Sequence, residues 1–107
     1  MVDLFTVLAD PSRRRILDTL RGGDGLIVKE LTAALDLSQP NVSKHLRVLR
    51  EAGLVTETVE RQRRRYRLRP DALRELDAWL APYRRFWVQR LDDLADHLDS
   101  STPPEGT

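Results

Sequence analysis

The stretch SQPNVSKHLRVLREAGLV, residues 38–55, limits the fold more than any other part of the chain. Ser38 has a hydroxyl that can accept from a free amide in a first helical turn, and Pro40 falls in that turn, where a missing N–H is harmless. Val42, Leu46 and Leu49 recur at steps of four and three, so they share one helix face. Gly53 is a helix stop, which predicts a helix from Ser38 as N-cap to about Ala52. The opposite face carries Gln39, Pro40, Asn41, Ser43, Lys44 and Arg47, with His45 on the flank.

The flanking segments have equally local signals. Residues 3–9 place Leu4 and Leu8 one turn apart, with Phe5 beside them. Asp10 and Pro11 read as N-cap and first helical residue of a second helix, whose stripe is Ile16, Leu17 and Leu20. Gly22, Gly23 and Gly25 end it. Leu26 and Ile27 fit either one short strand or the lead-in to a third helix with Val28, Leu31 and Leu35 on one face. LVTETVE and RRYRLR alternate with period two and read as two strands, Tyr66 and Leu68 sharing a face, joined by a tip at residues 61–64. A last helical region runs from Pro70 and Asp71 to about Leu98, with a break or kink expected near residues 80–82 because of Pro82. The organisation expected is one domain over residues 1–99 and a disordered tail over 100–107. The fold class is mainly α with a small β-hairpin: helix, helix, helix–turn–helix, hairpin, helix, which is the order of a winged helix.

Composition excludes several chemistries. With no cysteine in the 107 residues, there are no disulfides, thiolate metal sites or cysteine nucleophiles. No glycine-rich phosphate loop or metal-ligand cluster is present, and two histidines do not assemble a nucleophilic triad, so an enzyme is not expected. The N-terminal residues lack a basic start followed by an apolar run, and no apolar stretch nears the roughly 20 residues of a membrane span. The expectation is a cytoplasmic protein without a membrane partner and without a cofactor.

A net charge of +1 hides an uneven distribution. Residues 38–69 carry nine basic and three acidic side chains, whereas the segments on either side are net acidic. A charged outer face is the default for a surface helix, but here it sits between a preceding helix, a short turn and an arginine-rich hairpin. Glutamine and asparagine can pair with adenine, and arginine and lysine can donate to guanine, in a groove that admits a helix. The candidate DNA-contacting set is therefore Ser38, Gln39, Pro40, Asn41, Ser43, Lys44 and Arg47. His45 is either a phosphate donor or an ordinary boundary histidine. Arg61, Arg63 and Arg64 are expected at the hairpin tip, within reach of phosphates or a minor groove, with Arg65 also in the set, and Tyr66 is expected in the core. Two other readings are a winged helix used for protein contacts and a protein that coats DNA without sequence preference.

LADPSRRRILDTL, KELTAALDLSQPNVSKHLRVLREAGLV and RRRYRL resemble the ArsR/SmtB-type winged-helix repressors of bacteria, over roughly residues 4–98. The resemblance implies a homodimeric repressor bound to an imperfect palindrome in a promoter, often its own. Two features depart from the family pattern. The hairpin tip has no glycine, and the helix that carries a Cys-x-Cys metal element in metal-responsive members has Thr32 and Ala34 in the matching stretch ELTAALDL. Asp93 and His97 lie one turn apart on the last helix, where a second family site uses carboxylates and histidines; a solvated acidic helix end is the preferred reading of them, and a metal or small-molecule effector is left open but not indicated. Tyr83, Trp87, Leu91, Leu94 and Leu98 recur at steps of four, four, three and four, a seam of the coiled-coil kind. With Trp79, Phe86 and the first-helix residues Leu4, Phe5 and Leu8, they form the expected dimer interface.

Overall fold

The computed structural model describes the backbone of residues 3–101 and the side chains of residues 3–98. The chain divides into two compact units, one ending at Leu76 and the other beginning at Asp77. In the first, α1 (Leu4–Leu8) and α2 (Pro11–Thr19) are followed by a 3₁₀ turn at Leu20–Gly22 and the short strand β1 (Leu26–Ile27). Then come α3 (Val28–Leu35), α4 (Gln39–Glu51), the hairpin β2 (Val55–Glu60) and β3 (Arg63–Leu68), and a second 3₁₀ turn at Pro70–Leu73. The described part of the second unit is helical throughout, within α5 (Arg74–Ser101).

Local chemistry sets most of the boundaries. Asp3 and Asp10 each cap a helix by accepting from main-chain N–H groups, Asp10 from Ser12 at 2.8 Å and Arg13 at 3.2 Å. The three consecutive arginines that follow serve other helix ends. Arg13 donates to the Val7 carbonyl at 3.4 Å, Arg14 to that of Leu8 at 2.7 Å, and Arg15 to that of Leu35 at 3.0 Å. These carbonyls lie in the last turns of α1 and α3, where intrahelical partners run out and the helix dipole favours a cation.

The core joins the helices and the sheet of the first unit. Ile16, Leu20, Leu31, Val42, Leu46, Leu49 and Leu54 are fully or almost fully buried, with Leu4, Val7, Leu35, Val55 and Tyr66 around them. Val28 is half-buried at the edge of the α3 stripe. Leu4, expected at a dimer interface, is part of this core; Leu8 is half-buried and Phe5 exposed.

Leu26 and Ile27 form a strand rather than a simple lead-in. They pair antiparallel with Tyr66 and Arg65, making a three-stranded sheet in the order β1-β3-β2. Gly25 precedes β1 with φ +80°, and a Cβ there would lie 2.7 Å from the Arg67 Cγ, 2.9 Å from the Arg65 Cγ and 3.0 Å from the Tyr66 carbonyl oxygen. Gly25→Ala combines left-handed strain with a collision against the Arg67 and Arg65 side-chain stems and a tight approach to the Tyr66 carbonyl. We expect it to cost about 2 kcal/mol or more, read as a fall of roughly 10 °C in thermal midpoint; an unchanged midpoint would show that β1 can move aside freely.

Three expectations need correction. The tip is two residues, Arg61 and Gln62, not four, because Glu60 pairs with Arg63 and Val59 with Arg64. Putting Tyr66 and Leu68 opposite Glu57 and Val55 on one face sets this register, and strand pairing then continues to the last opposed pair. Helix α5 runs unbroken through Pro82: the missing N–H removes one bond to the preceding turn, and the helix continues on both sides of it. Ser100 and Ser101 belong to α5 instead of the tail; residues 102–107 lie outside the described residues.

Candidate nucleic-acid interface

The turn between α3 and α4 is short because its residues tolerate unusual backbone. Asp36 adopts a left-handed conformation at φ 54°, Leu37 is half-buried against the core, and the Ser38 hydroxyl accepts from the Asn41 N–H at 3.3 Å. At the other end of α4, the Leu54 N–H bonds the Leu49 carbonyl at 2.9 Å and the Gly53 N–H bonds that of Arg50 at 3.0 Å, with Gly53 at φ +77°. This double closure is a Schellman motif, and it drops Leu54 into the core. Both ends of α4 are thus locked, and its Val42–Leu46–Leu49 face is fully buried.

The opposite face is open. Ser38, Gln39, Pro40, Asn41, Ser43, Lys44 and Arg47 are all exposed. Of these, Ser38 spends its hydroxyl on the cap, and Arg47 touches Glu51 at 3.4 Å while keeping three quarters of its side chain exposed. His45 is half-buried, and its Nδ1 is buried without a partner, which places it at the margin of the core.

The hairpin stands beside this helix. Opposed residues of an antiparallel pair share a face, so Val59, Arg64, Glu57, Tyr66, Val55 and Leu68 form one face and Arg63, Arg65 and Arg67 lie on the other. Arg61 at the tip has φ 56° and, like Gln62, Arg63 and Arg64, is exposed. Arg65 is different: its Nε lies 3.0 and 3.1 Å from the two Glu60 carboxylate oxygens, and its Nη1 donates to the Gly25 carbonyl at 3.0 Å. Its guanidinium fastens β1 to the hairpin. A cleft of about 640 Å³ lies where the starts of α3 and α4 meet the hairpin, and it collects Gln39, Ser43, Arg63 and Arg64 from the expected set together with Lys29 and Gln62.

A side chain that pattern reading missed sits at the junction of helix and hairpin. Glu57 accepts from Arg50 at 2.9 Å, from Arg64 at 3.0 Å and from the Tyr66 hydroxyl at 2.9 Å. The Tyr66 hydrogen bond, with Arg64 and Arg50, holds its carboxyl below the usual carboxylate range against the opposing effect of burial. Burial and the bond to Glu57 push the Tyr66 phenol up, so it remains a donor at neutral pH. Only the strand register would have exposed this cluster in the sequence, since Glu57 faces Tyr66 directly and Arg64 diagonally.

On the second unit, large apolar side chains lie open along α5. Trp79, Tyr83, Phe86, Trp87, Val88, Leu91, Leu94 and Leu98 are each about half exposed or more. Trp79 and Tyr83 rings meet at 5.0 Å, and the Arg90 guanidinium lies 4.8 Å from the Phe86 ring centre. Among the described residues no three His, Cys, Asp or Glu side chains gather as a metal site, and no helix is long and apolar enough to cross a membrane.

A buried-backed helix with an open polar and basic face, preceded by a short turn and flanked by an arginine-bearing hairpin, defines a winged helix–turn–helix DNA-binding protein. Residues 8–58 match the family model described as a helix-turn-helix domain. The chain is 42% identical over 96 residues, covering 90% of it and 86% of the relative, to the HTH-type transcriptional regulator Rv2034 of Mycobacterium tuberculosis. It is 43% identical over 77 residues to the arsenic resistance transcriptional regulator ArsR1 of Pseudomonas putida, covering 72% of this chain and 60% of that protein. Among solved structures, "Possible transcriptional regulator for arsenical resistance" superposes with a TM-score of 0.69 at 39% identity, covering 91% of this chain and 97% of the other. The chain belongs to the ArsR/SmtB-type winged helix–turn–helix family, and it is a DNA-binding transcriptional repressor.

Proposed function

We propose that the chain works as a homodimer, joined through the apolar face of α5, that represses transcription from an imperfect palindrome in a promoter, its own included, in the cytoplasm and without catalysing a reaction. The observation that carries this reading is the open face of α4 beside the hairpin, with Gln39, Asn41, Ser43, Lys44 and Arg47 all exposed. Lys44, Arg47, Asn41 and Gln39 read base edges in the major groove, and Arg61, Arg63 and Arg64 bind phosphates or the adjacent minor groove. Arg65 is left out because its donors serve Glu60 and Gly25. Tyr83, Trp87, Leu91, Leu94 and Leu98 supply the seam; Leu4 does not, being core. Two copies set half-sites about one helical turn, or a multiple of it, apart.

The relatives named for arsenic resistance do not pass that ligand to this chain, whose 107 residues hold no thiolate. A gel shift of the purified protein on its own upstream DNA, with and without divalent metals and a chelator, tests the reading. Binding that metals leave unchanged is expected. Lys44→Ala should weaken operator binding by about 1–3 kcal/mol and relax selectivity at one base position. Indifference to sequence would favour a DNA-coating protein, and failure to bind any duplex at low salt would favour a protein-contact module.

A further inference from the structure

We infer that Glu57 is the positioning residue for operator discrimination: it holds Arg50 of α4 and Arg64 of β3 as one rigid pair, so that helix and hairpin meet the DNA backbone in a single register. This rests on the DNA-binding reading above and adds to it a residue whose own charge opposes DNA.

Both oxygens of the Glu57 carboxylate are engaged. Oε2 accepts from Arg50 Nη1 and from the Tyr66 hydroxyl, each at 2.9 Å, and Oε1 accepts from Arg64 Nη1 at 3.0 Å. Charge-assisted bonds of this length fix direction as well as distance. The Glu57 side chain is only 14% exposed, while those of Arg50 and Arg64 are 45% and 60% exposed. The carboxylate therefore lies behind the two guanidiniums, and an approaching phosphate meets the cations first. A guanidinium has five N–H donors, and Glu57 takes one Nη1 from each, which leaves the remainder for DNA. Ser43 and Arg47 complete the wall of the hollow, about 170 Å³, in which the pair sits.

Two opposed consequences separate this role from simple stabilisation. Arginines freed of Glu57 sample many rotamers, so the contacts that register helix against hairpin lose definition. The lost carboxylate also removes a negative charge from the basic surface, so attraction to any duplex increases. Discrimination falls while sequence-neutral affinity rises. A variant that had only lost stability would bind both kinds of DNA more weakly.

The test begins with selection of a preferred duplex from a randomised pool using the full chain. Binding of the parent protein, Glu57→Gln and Glu57→Asp to that duplex and to its scrambled counterpart is then measured across a salt series, with circular dichroism confirming the fold. Glu57→Gln is expected to bind the scrambled duplex several-fold more tightly, to steepen the salt dependence by about one phosphate contact, and to lower the preference for the selected duplex about tenfold. Glu57→Asp keeps the charge on a shorter arm; it is expected to lose preference with the salt slope unchanged, and it carries the test if the glutamine variant fails to fold. A preference retained by both variants, or affinities for the two duplexes that fall in parallel, overturns the inference alone. A parent protein with no preference overturns the operator reading and this inference together.

Discussion

A chain carrying Trp87→Glu and Leu91→Glu is expected to sediment as a monomer at micromolar concentration and to bind its operator at least about a hundredfold more weakly than the parent. The two side chains are 49% and 64% exposed, so they add little to the core of a single chain. At a seam between two copies they would be desolvated, and a pair of carboxylates per chain there costs several kcal/mol in the association. DNA affinity follows because a dimer engages its second half-site intramolecularly, and a monomer forfeits that local concentration. Among the described residues, the hydrophobic core of the first unit contains none beyond Leu76, so the monomer should keep a folded reading helix and a normal helical spectrum. A variant that stays dimeric with undiminished affinity would place the seam elsewhere.

Leu46→Ala is the substitution expected to damage the fold most. Leu46 is fully buried at the centre of the α4 stripe, one turn from both Val42 and Leu49. Truncating a buried leucine costs about 2–5 kcal/mol, transfer and cavity terms together. In a unit this small, that is a large share of a total stability of roughly 5–15 kcal/mol. Urea unfolding should show a lower midpoint with a similar slope, and DNA binding should weaken in proportion to the unfolded fraction, in contrast to Lys44→Ala, which should leave the midpoint in place. A midpoint within a few tenths of a kcal/mol of the parent would mean that α4 is not seated on this core.

Elements whose signals are local were legible in the sequence. Asp10 with Pro11, and Ser38 with Pro40 and Gly53, mark helix ends through bonds made within five residues, and the structure places them there. The outward face of α4 was equally readable, because helical period and polarity decide it. What could not be read depends on distant partners. Arg64 and Arg65 are neighbours in one arginine run, yet strand pairing sends Arg64 to Glu57 and Arg65 to Glu60 and Gly25. The pairing of β1 with β3 joins residues about forty positions apart, and nothing in the dipeptide Leu26-Ile27 specifies it. Pro82 misled in the other direction: its local penalty is real, but one lost bond in a helix of 28 residues does not end it.

The arginine triplet at residues 13–15 has a consequence for how this protein responds to ions. Its three cations are bonded to the carbonyl ends of α1 and α3, although Arg14 and Arg15 are exposed, whereas the exposed cations at 44, 47, 61, 63 and 64 are not engaged with helix-end carbonyls. Added electrolyte thus acts on two separate ledgers within one small chain. It competes directly for the second group, so duplex affinity should decline steeply as ions accumulate. It meets the first already donating to backbone oxygen, so the melting profile should hardly shift over that same range.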